Sequence, residues 1–131
     1  MEVAVNRLYD VAQLIVSSWV LASKQEGLPT SHGVLDRALR VAHESGSIPG
    51  WADQELHFTD SRTGLRCIEL PAILEWAQNS ELTNAPNPSY KTAHVKVSDR
   101  VARAILRALE VPDEQAAELG RVLVEQAKVT A

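Results

Sequence analysis

The sequence predicts an α+β fold: a helical hairpin, a small antiparallel β-hairpin and a C-terminal strand-helix-helix unit. Three observations carry this. The first twenty-odd residues and most of residues 99–130 repeat apolar side chains at helical spacing. Between residues 55 and 70 the apolar period falls to two, on either side of a glycine-bearing turn. A second alternating run, Thr92-Ala-His-Val-Lys-Val-Ser98, precedes the last two helices.

Composition bounds the rest. With 131 residues, 45% hydrophobic and 23% charged, the chain suits one domain or a domain with a small appendage, and needs no disulfide staples. Its single cysteine, Cys67, has no internal partner, which points to a reducing, cytoplasmic setting. Thirteen Lys/Arg against seventeen Asp/Glu give a net charge of −4, against a broad basic coat but not against a local basic stripe. The most membrane-like stretch, Val11 to Ala22, has nine apolar residues in twelve and is too short to span a bilayer. Val20-Leu-Ala22 resembles a signal cleavage site, yet the leading segment sets Glu2 and Asp10 against Arg7 where a positive segment is expected, so export is not expected.

The first helix is expected from Glu2 to Lys24, with Gly27 as its stop and Pro29 beyond. Its apolar residues cover most of the circumference, so it is either central or covered by a second copy. A chain this short hardly wraps a helix on every side, so a homodimer is expected, with Leu8, Val11, Ile15, Val16 and Trp19 at its interface. Thr30 or Ser31 can cap a second helix to about Glu44, stopped by Gly46. Val34, Leu35, Ala38, Leu39, Val41 and Ala42 form its apolar face, and Asp36, Arg37, Arg40 and Glu44 face water. The short Gly27-Leu-Pro-Thr30 connection makes the two helices an antiparallel hairpin.

Ser47 to Trp51 reads as a turn, followed by strands Glu55–Thr59 and Leu65–Leu70. With Gly64 left-handed in a three-residue loop, Ser61 pairs with Leu65, Asp60 with Arg66, Phe58 with Ile68 and Leu56 with Leu70. The other face sets His57 opposite Glu69 and Thr59 opposite Cys67. Pro71 opens a short helix to about Gln78, with Ile73, Leu74 and Trp76 as buried candidates. Residues 82–91 have linker composition and divide residues 1–81 from residues 92–131, although the two units can pack as one domain. In the second unit Ala93, Val95 and Val97 face in. Ser98 caps a helix to about Glu110 whose Val101, Ala102, Ile105, Leu106 and Leu109 oppose Arg100, Arg103 and Arg107. Pro112-Asp-Glu starts the last helix, with Leu119, Val122, Leu123 and Ala127 inward.

Enzyme signatures are absent: no phosphate-binding glycine loop, no G-x-S-x-G elbow, no zinc spacing. The polar hairpin face gathers His57, Cys67, Glu69 and Glu55, the right types for a divalent metal or a His-activated thiolate. The plainer reading is a half-buried cysteine beside a histidine satisfied by a cross-strand glutamate. No catalytic residue, metal or cofactor is therefore assigned. His32 and His43 have local explanations at helix ends. Among the tryptophans, Trp51 is expected to be the most exposed.

The strand-helix-helix order of residues 92–131 resembles the ribbon-helix-helix DNA-binding module, in which two copies pair one strand each into a ribbon for the major groove. The resemblance implies base contacts from Thr92, His94 and Lys96 and phosphate contacts from Arg100 and Arg103. Lys91 to Arg107 holds five Lys/Arg against Asp99 alone, a local +4. The departure lies at Val111-Pro-Asp-Glu-Gln115: Pro112 lacks an N–H, and Asp113 and Glu114 repel the phosphate that such a helix start binds. The plainer alternative is a third strand beside the 55–70 hairpin. A winged-helix order also exists, but its recognition helix mixes Asp36 and Glu44 with Arg37 and Arg40.

The leading expectation is a non-enzymatic cytoplasmic regulatory or assembly module acting through protein–protein contacts, as a homodimer with an unknown protein partner and no membrane contact. A dimeric DNA-binding regulator comes second. A small enzyme or metal site on the hairpin face comes third.

Overall fold

The computed structural model describes residues 7–24, 26–30, 33–62, 64–83 and 92–130. Expectations on residues 1–6, Ser31, His32, residues 84–91 and the side chain of Thr92 lie outside the described residues. Helix α1 (Leu8–Ser23) is followed by strand β1 (Leu28–Pro29), α2 (Val34–Ser45), a single turn α3 (Gly50–Asp53), strands β2 (Phe58–Ser61) and β3 (Gly64–Cys67), and α4 (Leu70–Asn79). Strand β4 (Thr92–Ala93) and helices α5 (Asp99–Ala108) and α6 (Asp113–Thr130) complete an α+β fold.

Local signals set several helix ends. Gly46, left-handed at φ +73°, closes α2 and bonds back to its last carbonyls. Pro71 lies in the first turn of α4, where its missing N–H costs nothing. The Ser98 hydroxyl accepts the Val101 N–H at 3.2 Å and caps α5. Acids in the first turn of α6, Asp113 and Glu114, complement its dipole.

Most apolar side chains of α1 are covered by its own chain. Val11, Ala12, Leu14, Ile15, Val16, Trp19 and Val20 are each 3% exposed or less, under cover of α4, α5 and α6. This revises the expected dimer interface: Val11, Ile15, Val16 and Trp19 are core of their own chain, and Leu8 is partly buried against that core. The expected hairpin of α1 and α2 is also modified. Helix α6 packs against both, and direct α1–α2 packing is slight. Where α6 crosses α1, Gly120 lies so close that a Cβ there would come 2.4 Å from the Ser18 carbonyl oxygen. Residues of both expected units, from Leu14 to Val95, Leu106 and Leu123, share one buried cluster.

The β-hairpin forms in a different register. Ser61 pairs with Gly64, Asp60 with Leu65, Thr59 with Arg66 and Phe58 with Cys67, leaving two residues in the loop instead of three. Gly64 begins β3 at φ +111° instead of sitting inside the turn. A slip of one residue exchanges the faces of a strand. Cys67 is therefore buried and Ile68 is 59% exposed. Phe58 faces α2, beneath the Arg40 guanidinium and beside the His43 ring.

The segment after residue 92 pairs within its own chain, but not with this hairpin. Leu28 lies opposite Ala93 and Pro29 opposite Thr92. Thr83 bridges Val95, and the Lys96 N–H donates to the Leu82 carbonyl at 2.8 Å. The expected alternation is present: Ala93, Val95 and Val97 are buried, and His94 and Lys96 are exposed. Trp76, not Trp51, is the most exposed tryptophan. It stacks on Tyr9 with ring centroids 5.6 Å apart, whereas Trp51 lies half-buried under the Arg7 guanidinium. Among the described residues, no helix is long and apolar enough to cross a membrane.

Candidate functional site

Two places gather chemistry-bearing side chains. The first is the turn after β3. Glu69 accepts both the backbone N–H of His57, at 2.7 Å, and a 2.7 Å contact from its Nδ1. The histidine ring is open to solvent and its partner carboxylate mostly covered. Glu69 thus closes the base of the hairpin by holding backbone and side chain of one residue together. Cys67 Sγ lies 3.9 Å from the same carboxylate, on its Oε1.

That arrangement works against a nucleophilic thiol. Burial, together with charge repulsion from the nearby Glu69 and Asp36 carboxylates, pushes the Cys67 thiol up to about 12. A reactive cysteine needs the opposite surroundings, a cation or a helix start close by. His57 is bonded to Glu69, with no bond to the sulfur, so the His–thiolate pair is not assembled. Among the described residues, no group of three or more His, Cys, Asp and Glu is placed to hold a metal ion.

The second place is the outer side of α5. Its core contacts come from Ala102 and Leu106, with Ile105 and Leu109 partly buried. At 3.6 residues per turn, Arg100, Arg103 and Arg107 fall on one ridge, and all three are exposed. Val101, Ala104 and Ala108 repeat the same spacing and form a second stripe beside that ridge, also exposed. Val101, which the apolar pattern assigned to the core, is 48% exposed. One residue before Ala102, it points about 100° away from the buried direction that Ala102 marks. That angle was the available signal for this stripe.

Val101, Ala104, Ile105 and Ala108 line an open hollow of about 590 Å³ against Gln13 of α1, with Arg100 at its edge. Among the described residues, Lys96, Arg100, Arg103 and Arg107 take part in no ion pair. The contrast with α6 is direct: there Arg121 bonds both Glu118 and Glu125, and its hydrogen bond, aided by its charge, holds the Glu118 carboxyl below the usual range.

Of the residues that the ribbon-helix-helix resemblance singles out, His94, Lys96, Arg100 and Arg103 are all exposed. The strand itself is paired with Leu28, Pro29 and Thr83 of its own chain, where that module pairs it with a second copy. No protein family, curated protein or solved structure matches this chain. The functional reading therefore rests on the geometry.

Proposed function

We propose that this protein is a non-enzymatic module that works through protein–protein contact in a reducing, cytoplasmic setting, and that α5 is the face it presents. One observation carries the reading: an arginine ridge with no ion-pair partner among the described residues runs beside an uncovered apolar stripe on the same helix. Exposed apolar area next to arginine is the composition of contact surfaces, where arginine anchors and apolar burial act together. Covering Val101 and the adjoining alanines would recover roughly 25 cal/mol for each Å² removed from water. The lone buried thiol fits a reducing compartment.

A nucleic-acid reading draws on Lys96 and the same arginines. It leaves the Val101 stripe without a role, because phosphate contacts gain nothing from a bare valine. The α1 side chains expected at a dimer interface, Val11, Ile15, Val16 and Trp19, are buried within their own chain, which favours α5 over α1 as the contact face.

Site-specific photo-crosslinking tests the reading. A photoreactive residue replacing Val101 should give protein adducts in cells, and the same residue replacing Glu114 should not. Nucleic-acid adducts from position 101, or equal adducts from both positions, would overturn it.

A further inference from the structure

We infer that the α5 face takes an acidic amphipathic helix of a partner protein. This rests on reading α5 as a protein-contact face, and it commits that face to one occupant. The ridge from Arg100 to Arg107 and the stripe from Val101 to Ala108 each run seven residues, about two helical turns or 10 Å. Along the axis the arginines are spaced by about 4.5 and 6 Å, close to the 5.4 Å pitch of a second helix lying alongside. An extended strand repeats same-face side chains every 6.6–6.8 Å or so and falls out of step over that length.

Shape agrees with spacing. Ala104 and Ala108 are the small residues of the stripe, and they leave a groove in which a helix can approach at roughly 8 Å between axes. Its apolar residues at i, i+3 or i+4, and i+7 would cover Val101 and the alanines, in the helix-in-groove manner.

Charge then sets the identity and the direction of the partner. The arginines flank the stripe on one side only. The hollow beside the stripe is lined by the uncharged Gln13 and Ser98, and Arg100 is the one charged residue in its lining. A partner helix with carboxylates along one flank therefore fits in one rotational setting. The whole chain carries a net charge of −4, so an acidic helix is repelled by much of the surface and attracted at this ridge.

The experiment uses the full chain and three synthetic helical peptides with one shared leucine stripe and a flank of Glu, Gln or Lys, together with a short DNA duplex. Binding is read by fluorescence anisotropy at low and at physiological salt. The Glu peptide should bind about tenfold or more tightly than the Gln peptide, with the preference shrinking as salt rises. Arg103→Glu should abolish that preference and admit the Lys peptide, and Val101→Asp should weaken the Glu and Gln peptides alike. Both substitutions lie on the surface, and an unchanged melting transition verifies the fold. Equal binding of the Glu and Gln peptides would overturn the acidic partner and leave the protein-contact reading standing. Binding of DNA alone, sensitive to Arg103 and indifferent to Val101, would overturn both, as would the failure of every probe to bind.

Discussion

The Asp36 carboxylate, in the first turn of α2, accepts the backbone N–H of Cys67 at 2.6 Å across 31 residues of sequence. Both residues are buried. This bond takes an outward-pointing donor of β3 and ties it to a helix, which is how the hairpin is held with Cys67 and Phe58 toward α2. It also explains the one charged residue buried in α2: Asp36 is satisfied by a backbone donor and sits where the helix dipole favours an anion.

Replacing Asp36 should therefore be costly. Asp36→Ala leaves the Cys67 N–H without its acceptor, and a loss of about 2 kcal/mol is expected from the range for hydrogen bonds to charged groups. Asp36→Asn keeps an oxygen in place and should lose less. Urea denaturation of the three proteins gives the ordering, and equal stability of Asp36→Ala and wild type would contradict this role.

Cys67 gives a pH prediction. Its thiol lies at about 12 in the fold against an ordinary 9.0, chiefly because burial disfavours the thiolate. Above about pH 9 the unfolded chain releases a proton that the folded chain retains. Stability should therefore fall with rising pH, with this group contributing at most about 1.4 kcal/mol per pH unit, until the folded thiol also ionises. Cys67→Ala should flatten this part of the stability curve between pH 9 and 11. Thiol reagents at pH 8 should label the native protein only at the rate of its opening.

Gly120 marks the tightest helix crossing. A methyl group there would meet the Ser18 carbonyl oxygen at 2.4 Å and the Ala22 Cβ at 2.8 Å, and the nearest of these atoms is backbone that cannot turn aside. Helix propensity favours Gly120→Ala by roughly 1 kcal/mol, yet overpacking at a buried crossing typically costs 1–3 kcal/mol, about as much or more. A net loss of stability is expected, and a thermal melt that rises would show that α1 and α6 can separate freely.

Helix α1 should respond as core. Ile15→Glu buries a carboxylate among apolar side chains with no partner, so the protein should unfold or lose several kcal/mol, without passing through a folded, dissociated monomer. Circular dichroism and light scattering on the same sample distinguish the two outcomes.

The position and type of most elements were legible in the sequence because their signals are local. Ser98, Gly46, Pro71 and the Pro112-Asp-Glu start each act within one helical turn, and the alternation of Ala93, Val95 and Val97 follows from strand geometry alone. The apolar face of α6 was readable for the same reason. Part of the candidate site was readable too: the arginines of α5 lie on one ridge by spacing, and His57 meets Glu69.

What the tertiary structure decided depends on residues far apart in the chain. The hairpin register differs by one residue from the match of apolar faces, which favours a three-residue loop, and the bond that holds the observed register comes from Asp36 on another element. The apolar circumference of α1 implied that something covers it, but not whether that cover was a second copy or α4, α5 and α6 of the same chain. Val101 carries the same side chain whether it packs or faces water. Only the docking of α5 onto α1 through Ala102 and Leu106 turned it outward, beside the arginines. Short-range preferences specify which element forms; the burial of one element by another specifies which of its faces remains to be used.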